Sequence, residues 1–198
     1  MDNPLGLPGS PAATALLAEL EARWSEPHRR YHTRAHLHAV LTAIDTLAAH
    51  ADDLLAVRLA AWFHDAVYDG RPGHDEERSA QLAHTRLTAC AYPAAAEVAR
   101  LVRVTATHTH APGDHNAAVL CDADLSILGA PPTTYDHYSH AIRQEYHHVP
   151  INLFKTGRTE VLTRLLTKDP LFHTPTAQSL WTEQATKNLT RELASLGT

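Results

Sequence analysis

Apolar residues at helical spacing constrain the fold of this chain more than any other feature of its sequence. Leu16, Leu20 and Trp24 lie three or four residues apart, and the same spacing recurs in most later segments. Alternating β-branched runs, and Asn-Gly or Asp-Gly turns between apolar runs, are absent from the sequence. We therefore predict an all-α fold, a single-domain bundle of about eight or nine helices.

Capping residues predict where several helices begin, and the composition of the first residues predicts the domain organisation. Ser10 before Pro11 and Thr174 before Pro175 are typical helix starts. Thr133 and Asp136 have the spacing of a capping box, and Gly157 is expected to divide residues 151–167 into two short helices. Residues 1–9, "MDNPLGLPG", are predicted to be a flexible N-terminus, followed by a single helical domain over residues 10–198.

Charge and cysteine content exclude several classes of function. The net charge of −5 argues against binding to nucleic acid polymers or anionic membranes, which requires a basic face. The two cysteines form neither a disulfide framework nor a Cys-rich zinc site. No signal peptide and no apolar run long enough to span a membrane is found. We predict a cytoplasmic protein without a membrane partner.

Two polar residues interrupt the most apolar helix. "AAWFHDAVYD" is expected to be central, yet it contains His64 and Asp65. Buried ionisable groups are costly unless they are paired or coordinated. His36 lies beside an apolar stripe 28 residues earlier, a separation that suits two adjacent antiparallel helices. The two imidazoles are therefore expected to meet.

A second pair of acids interrupts a later apolar segment, "VLCDADLSILG". Asp122 and Asp124 would repel each other if buried together, and a cation relieves that cost. His36, His64, Asp65 and one of these two acids supply two nitrogen and two oxygen ligands. That set suits a divalent first-row ion or Mg²⁺ with positions left open for water.

Each of these residues also has a structural alternative. A histidine on a helix face is more often a satisfied core or surface residue than a ligand. Asp65 could cap its helix or pair with Arg58, and Asp122 could be exposed. The coincidence of the three motifs in apolar helices is what favours the metal site.

The motifs occur in the order "YHTRAHL", "AAWFHDAVYD", "DEERSA", "DADLSILG" and "IRQEY". In this order they resemble the HD-domain superfamily of metal-dependent phosphohydrolases, within its branch of small predicted HD phosphohydrolases. The similarity extends from Tyr31 to Tyr146 and, more weakly through "NLTREL", to the C-terminus. The resemblance implies an HD-type helical domain with a metal-site core at about residues 31–146 and C-terminal helices over 150–198.

The resemblance also implies a set of metal ligands. A divalent ion (Mn, Fe, Co, Ni, Mg or Zn) would be held by His36, His64, Asp65 and Asp124. Asp124 is preferred to Asp122 because the family's ligand usually follows a small residue. Relatives with two metals use additional histidines between the HD pair and the last aspartate. Two histidines of "THTH" occupy that interval, and a second metal or phosphate contact is expected from His110 before His108, with a solvated helix end before Pro112 as the alternative.

Candidates for proton transfer and phosphate binding follow from the same resemblance. The proton would be accepted or positioned by Asp65, Asp69 or Glu77, although Glu77 and its neighbour Glu76 are equally suited to stabilising a helix N-terminus. Relatives carry a Lys or Glu soon after the HD pair, and this chain does not, so the general acid and base stay open. Candidate substrate-binding residues are His32, Arg34 and Arg143, with structural ion pairs as the alternative for both arginines.

We accordingly expect a metal-dependent phosphohydrolase that acts on a phosphomonoester or phosphodiester of a small metabolite or nucleotide. The alternatives are a nucleotide-binding regulatory HD module without turnover, an HD-type di-iron oxygenase, and a helical scaffold. The scaffold predicts that the side chains of His36 and His64 lie far apart. Whether the chain forms a homo-oligomer is left open.

Overall fold

The computed structural model of the chain describes residues 3–197, and these residues contain nine α-helices and no strand. The prediction of an all-α fold is confirmed. The helices are α1 Pro11–Arg23, α2 Arg34–Leu47, α3 Leu54–Phe63, α4 His74–Ala89, α5 Ala95–Val104, α6 His115–Asp124, α7 Pro132–Glu145, α8 Ile151–Thr167 and α9 Pro175–Leu196. Over the same residues, no helix combines the length and hydropathy that crossing a bilayer requires.

The chain divides into two compact units, Met1–Asp124 and Leu125–Thr198. The first contains α1 to α6, and the second contains α7 to α9 together with the 3-10 helix Leu125–Gly129. The predicted boundaries of a single helical domain stay a prediction. All four residues of the predicted metal site belong to the first unit.

The N-terminal segment packs more closely than its composition predicts. Leu5 and Leu7 are buried, and Gly6 has a φ of 69°. A Cβ on Gly6 would lie 2.8 Å from Cδ1 of Leu55, so glycine permits this close approach. Residues 1 and 2 lie outside the described residues, and the burial of the two leucines argues against flexibility for the part that is described.

Helix α3 forms the centre of the first unit, as its apolar sequence predicts. Seven of its residues, from Ala56 to Phe63, are buried, and the helix packs against α2, α4, α5 and α6. It ends sooner than expected, however, at Phe63. The backbone N–H of Ala66 donates a hydrogen bond to the carbonyl of Phe63 (2.9 Å), and this tight turn ends the helix. His64 and Asp65 therefore lie at the end of the helix and not within it.

Capping residues place several helix starts correctly. The Ser10 hydroxyl accepts a hydrogen bond from the N–H of Ala13 at 3.0 Å, and Thr174 accepts one from the N–H of Ala177 at 3.3 Å. The prediction of a capping box at Thr133 and Asp136 is wrong. Helix α7 begins at Pro132, whose fixed φ suits the first helical position, so Thr133 already lies inside the helix.

Helix α8 is continuous through Gly157, so the prediction of two short helices is wrong. Tertiary contacts within the second unit outweigh the low helix propensity of one glycine. Arg158, the next residue, is buried and donates to Glu192 of α9 (2.8 Å from Nε to Oε1). The hydroxyl of Tyr135 in α7 donates to the same carboxylate at 2.5 Å. One buried charge cluster thus connects the three helices of this unit.

Candidate metal centre

His36 reaches the centre of the first unit from the start of α2. Thr33 caps this helix by accepting a hydrogen bond from the N–H of Ala35. His36 follows in the first turn, beside the apolar stripe that includes Leu37 and Val40. Its imidazole is buried, with only 6% of the residue exposed, and it contacts the ring of Tyr31 (4.7 Å between centroids).

His64 reaches the same point from the end of α3. Its Nδ1 lies 2.8 Å from the carbonyl oxygen of Ala61, and because a carbonyl can only accept, Nδ1 carries the hydrogen. In the neutral ring, Nε2 then has a free lone pair. This Nε2 lies 3.2 Å from Nε2 of His36, so the two imidazoles converge on one point. The predicted meeting of these side chains is what the structure shows.

Two carboxylates surround the paired imidazoles. Oδ2 of Asp65 lies 3.0 Å from Nε2 of His64 and 3.7 Å from Nε2 of His36. Oδ1 of Asp124, the last residue of α6, lies 3.2 and 3.5 Å from Nε2 of His36 and His64, respectively. Ligand atoms of His36, His64 and Asp65 all lie within 4.8 Å of one another. Asp124, one of the two acids in "DADL", therefore faces both imidazoles.

The charges in this cluster are strongly coupled. Burial lowers the pKa of His64, but the charges of Asp65 and Asp124 outweigh it and hold that pKa well above its usual value. For His36 burial dominates, and its pKa lies below the usual value. Burial raises the pKa of each carboxyl, yet the neighbouring imidazoles bring both below their usual range. The cluster is therefore arranged for two carboxylates around one positive charge.

These residues fit a divalent metal ion by the chemistry of their donors. Two imidazole nitrogens and two carboxylate oxygens, without a thiolate, suit a first-row divalent ion. The Nδ1–H of His64 bonded to a carbonyl is the usual support for a metal-binding histidine. The carboxylates are partly exposed (16% for Asp65 and 14% for Asp124), whereas the imidazoles are buried. Access to the cluster is therefore on the carboxylate side.

Of the two additional histidines, the structure brings His108 to the cluster. Its Nε2 lies 2.8 Å from Oδ2 of Asp124, and its backbone has a φ of 52°. The Nδ1 of His110 instead lies 3.1 Å from the carbonyl oxygen of Ala111. This contact favours His108, and the order of the two histidines in binding a second metal or a phosphate stays a prediction. Helix α5 ends at Val104, and the left-handed turn at His108 directs this histidine towards α6.

The two other candidates for proton transfer have surface partners. Arg78 donates to Asp69 at 2.5 Å, and Arg103 donates to Glu77 at 2.6 and 2.9 Å. These ion pairs lower the pKa of both carboxyl groups, that of Glu77 to about 2. The contacts favour a structural role for Asp69 and Glu77. Of the three predicted proton acceptors, Asp65 is the one whose carboxylate lies beside His36 and His64.

Glu76 stabilises the start of a helix, the role predicted as the alternative to proton transfer. Its carboxylate accepts a hydrogen bond from the N–H of Gly73 at 2.5 Å at the start of α4. This is one half of a capping box, because glycine has no side chain to form the reciprocal bond.

The three predicted substrate-binding residues have different surroundings. His32 lies beside the cluster: its ring stacks on Tyr68 (4.2 Å) and meets His36 edge-on (5.6 Å). Arg34 is exposed and pairs with Glu21 at 3.3 Å, which favours the ion-pair alternative.

Arg143 belongs to the second unit and has a structural role there. It donates to the carbonyls of Tyr146 (2.8 Å) and Val149 (3.1 Å) and lies over the ring of Phe154. These partners are backbone carbonyls after α7, and not the acidic side chain of the ion-pair alternative.

Three residues that sequence reasoning missed support the end of α3. The indole N–H of Trp24 donates to the carbonyl of Trp62 (2.9 Å), and Arg29 donates to the carbonyl of Asp65 (2.8 Å). Nε2 of His28 lies 2.8 Å from the carbonyl of Tyr68. The sequence signal was the clustering of these donors within "WSEPHRRYH". Amino-acid composition alone does not distinguish this segment from a solvated turn.

The chain was also compared with protein-family models, curated proteins and solved structures, and none of the three comparisons gave a match.

Proposed function

We propose that this chain is a metal-dependent phosphohydrolase of the HD type. Its substrate would be a small phosphorylated metabolite or a nucleotide, cleaved at a phosphomonoester or phosphodiester bond. The metal would be held by His36, His64, Asp65 and Asp124, and Mn, Fe, Co, Ni, Mg and Zn are all compatible with these donors.

One observation carries the proposal: Nε2 of His36 and Nε2 of His64 lie 3.2 Å apart, with carboxylate oxygens of Asp65 and Asp124 beside them. The scaffold alternative requires these imidazoles to be far apart, so this distance counts against it. Four ionisable side chains from three helix ends converge at this point, and burying such groups is costly unless they are paired or bind a cation.

The bound ion would act as a Lewis acid and lower the pKa of a coordinated water towards neutrality. The protein residues would orient the reaction around it. Asp65 lies next to His64 and is partly exposed, so a carboxylate oxygen that is not bound to the ion could accept a hydrogen bond from the attacking water and orient it. His108 fixes the orientation of Asp124 through its bond to Oδ2. His32, stacked on Tyr68 beside the cluster, can donate a hydrogen bond to a phosphoryl oxygen.

A metal analysis of the purified chain, followed by a phosphoester screen, tests this function. We expect one divalent ion per chain and hydrolysis of generic phosphoesters with Mn²⁺, Co²⁺, Fe²⁺, Ni²⁺, Mg²⁺ or Zn²⁺. Replacing Asp65 with Ala should lower metal affinity by more than the roughly 10–100-fold typical of a supporting residue, because a direct ligand is lost.

Asp114→Asn is the matched control for Asp65→Ala. Asp114 is also a partly buried carboxylate of the first unit, but it pairs with Arg100 (2.6 Å). This variant should keep its metal and its activity. Unchanged metal content in Asp65→Ala would contradict the ligand assignment, and a metal-loaded wild type without turnover would favour the regulatory module.

The contacts of Asp124 support a second candidate, the di-iron oxygenase. This carboxylate presents Oδ1 to His36 (3.2 Å) and Oδ2 to His108 (2.8 Å), an arrangement in which one aspartate can be shared by two ions. Metal stoichiometry distinguishes the candidates. Two irons per chain together with oxygen consumption would favour the oxygenase over the hydrolase.

A further inference from the structure

Arg29 is a fully buried cation next to the candidate metal centre. None of its side chain is exposed, and its guanidinium lies between the rings of Trp24 and Tyr68, 5.5 and 5.4 Å from their centroids. Burying a cation without a partner is costly. Its partner is Glu26, which accepts bonds from Nε (3.0 Å) and Nη2 (2.8 Å) and is itself partly exposed.

The remaining donors of Arg29 bond to backbone carbonyls. Nη1 donates to the carbonyl of His32 (3.0 Å) and to the carbonyl of Asp65 (2.8 Å), and Nη2 makes a longer contact with that of Ala66 (3.4 Å). One carbonyl precedes helix α2, which carries His36. The others follow helix α3, which ends just before His64. A single guanidinium therefore joins the two segments that carry three of the four candidate ligands.

The end of α3 needs such a partner. The carbonyls at a helix C-terminus and in the turn after it have no intrahelical donor. Here Arg29 donates to the carbonyl of Asp65 while the side chain of that residue reaches the cluster. Arginine suits this position because its planar fork can bond several acceptors at fixed angles, which the single ammonium of lysine cannot reproduce.

We propose that Arg29 is a positioning residue of the metal centre. It sets the distance between the start of α2 and the turn after α3, and thereby holds Asp65 against the imidazoles of His36 and His64. This inference rests on the proposed function, since it assumes that the cluster binds a metal. It assigns to Arg29 neither a metal contact nor a substrate contact.

Titration with Co²⁺ alone tests the inference, because both the affinity and the visible absorption spectrum report ligand geometry. We expect Arg29→Met to bind Co²⁺ roughly 10–100-fold more weakly than wild type, the range typical of residues that support metal ligands. Its spectrum should change as well. Arg29→Lys should retain only part of the affinity, because lysine keeps the positive charge but lacks the planar guanidinium that bonds several carbonyls.

Arg158→Met is the matched control. Arg158 is a buried arginine paired with a glutamate in the second unit, so its loss should lower thermal stability in a comparable way. It should leave the Co²⁺ dissociation constant within about twofold of wild type, the change expected when no supporting residue is lost. Glu26→Gln is a milder variant that keeps the packing and weakens only the orientation of Arg29, for use if Arg29→Met does not fold. We expect it to weaken Co²⁺ binding as well.

The outcomes separate this inference from the proposed function. If wild type binds Co²⁺ and the folded variants at residues 29 and 26 bind it with the same affinity and spectrum, the positioning role of Arg29 is wrong and the metal centre stands. If wild type itself fails to bind Co²⁺, Mn²⁺ and Zn²⁺, the metal centre is wrong and the inference falls with it.

Discussion

At the residue scale, His64 shows how one side chain can serve both the fold and the site. Its Nδ1–H satisfies the carbonyl of Ala61 in the last turn of α3, and this bond fixes the ring so that Nε2 points to His36. A residue that caps its own helix with one nitrogen can present the other at a defined position. The same logic applies to Asp124, whose two oxygens face different histidines.

The histidines of "THTH" provide a prediction at this scale. His108→Ala should weaken metal binding roughly 10–100-fold, because Asp124 loses the partner that orients it. His110→Ala, two residues away, should change the affinity little. Isothermal titration of both variants with Mn²⁺ measures the difference. A larger effect at His110 would restore the order that the family resemblance implies.

At the element scale, the candidate ligands lie at the ends of helices. His36 is in the first turn of α2, His64 and Asp65 follow the last turn of α3, and Asp124 ends α6. Helix ends carry unpaired backbone groups and change direction, so they can bring side chains from different elements to one point. In the second unit, Arg158 from the middle of α8 forms a buried pair with Glu192 near the end of α9.

This pair predicts how the stability of the second unit depends on pH. Burial raises the pKa of Glu192, but its bonds to Arg158 outweigh that and bring the pKa below its usual value of 4.5. Since the folded pKa is the lower one, the stabilisation is fully present above about pH 4.5 and is lost as the pH falls through the folded value.

Glu192→Gln should therefore cost about 3–5 kcal/mol near neutral pH, because Arg158 is left buried without its counter-charge. The difference from wild type should shrink in acid. Urea unfolding of both proteins across this pH range gives the free energies. A difference that does not depend on pH would show that packing, and not charge, holds these helices together.

At the scale of the whole molecule, the carboxylate clusters of the two units have different side-chain partners. In the second unit the chain supplies its own cation, Arg158, to Glu192. In the first, Asp65 and Asp124 have only imidazoles as their side-chain partners among residues 3–197. A proton on an imidazole supplies positive charge beside these carboxylates, and a bound cation would replace it.

Metal binding should for this reason stabilise the protein. A divalent ion at about 100 times its dissociation constant adds about 2.7 kcal/mol if it binds only the folded state. For a chain of this size, that corresponds to a rise in Tm of roughly 5–10 °C. Thermal unfolding with Mn²⁺ and after chelation measures it. His64→Ala should remove the shift, and a shift that persists in this variant would place the ion elsewhere.

Much of the fold, and the identity of the candidate ligands, could be predicted from the sequence. Apolar spacing predicts helices because one face of each must be buried. Capping residues such as Ser10 and Thr174 mark helix starts through a local hydrogen bond. His36, His64 and Asp65 could be named because ionisable residues in apolar segments are costly and therefore conspicuous.

Only the tertiary structure decided the rest, because it depends on contacts between residues distant in the sequence. Asp69, Glu77 and Arg34 are chemically suited to the site, but surface ion pairs engage them. His108 reaches Asp124 through a left-handed turn that no sequence pattern marks. Arg29 became recognisable only when its guanidinium was seen to bond the carbonyls of His32 and Asp65. Sequence determines which groups are available, and packing determines which of them meet.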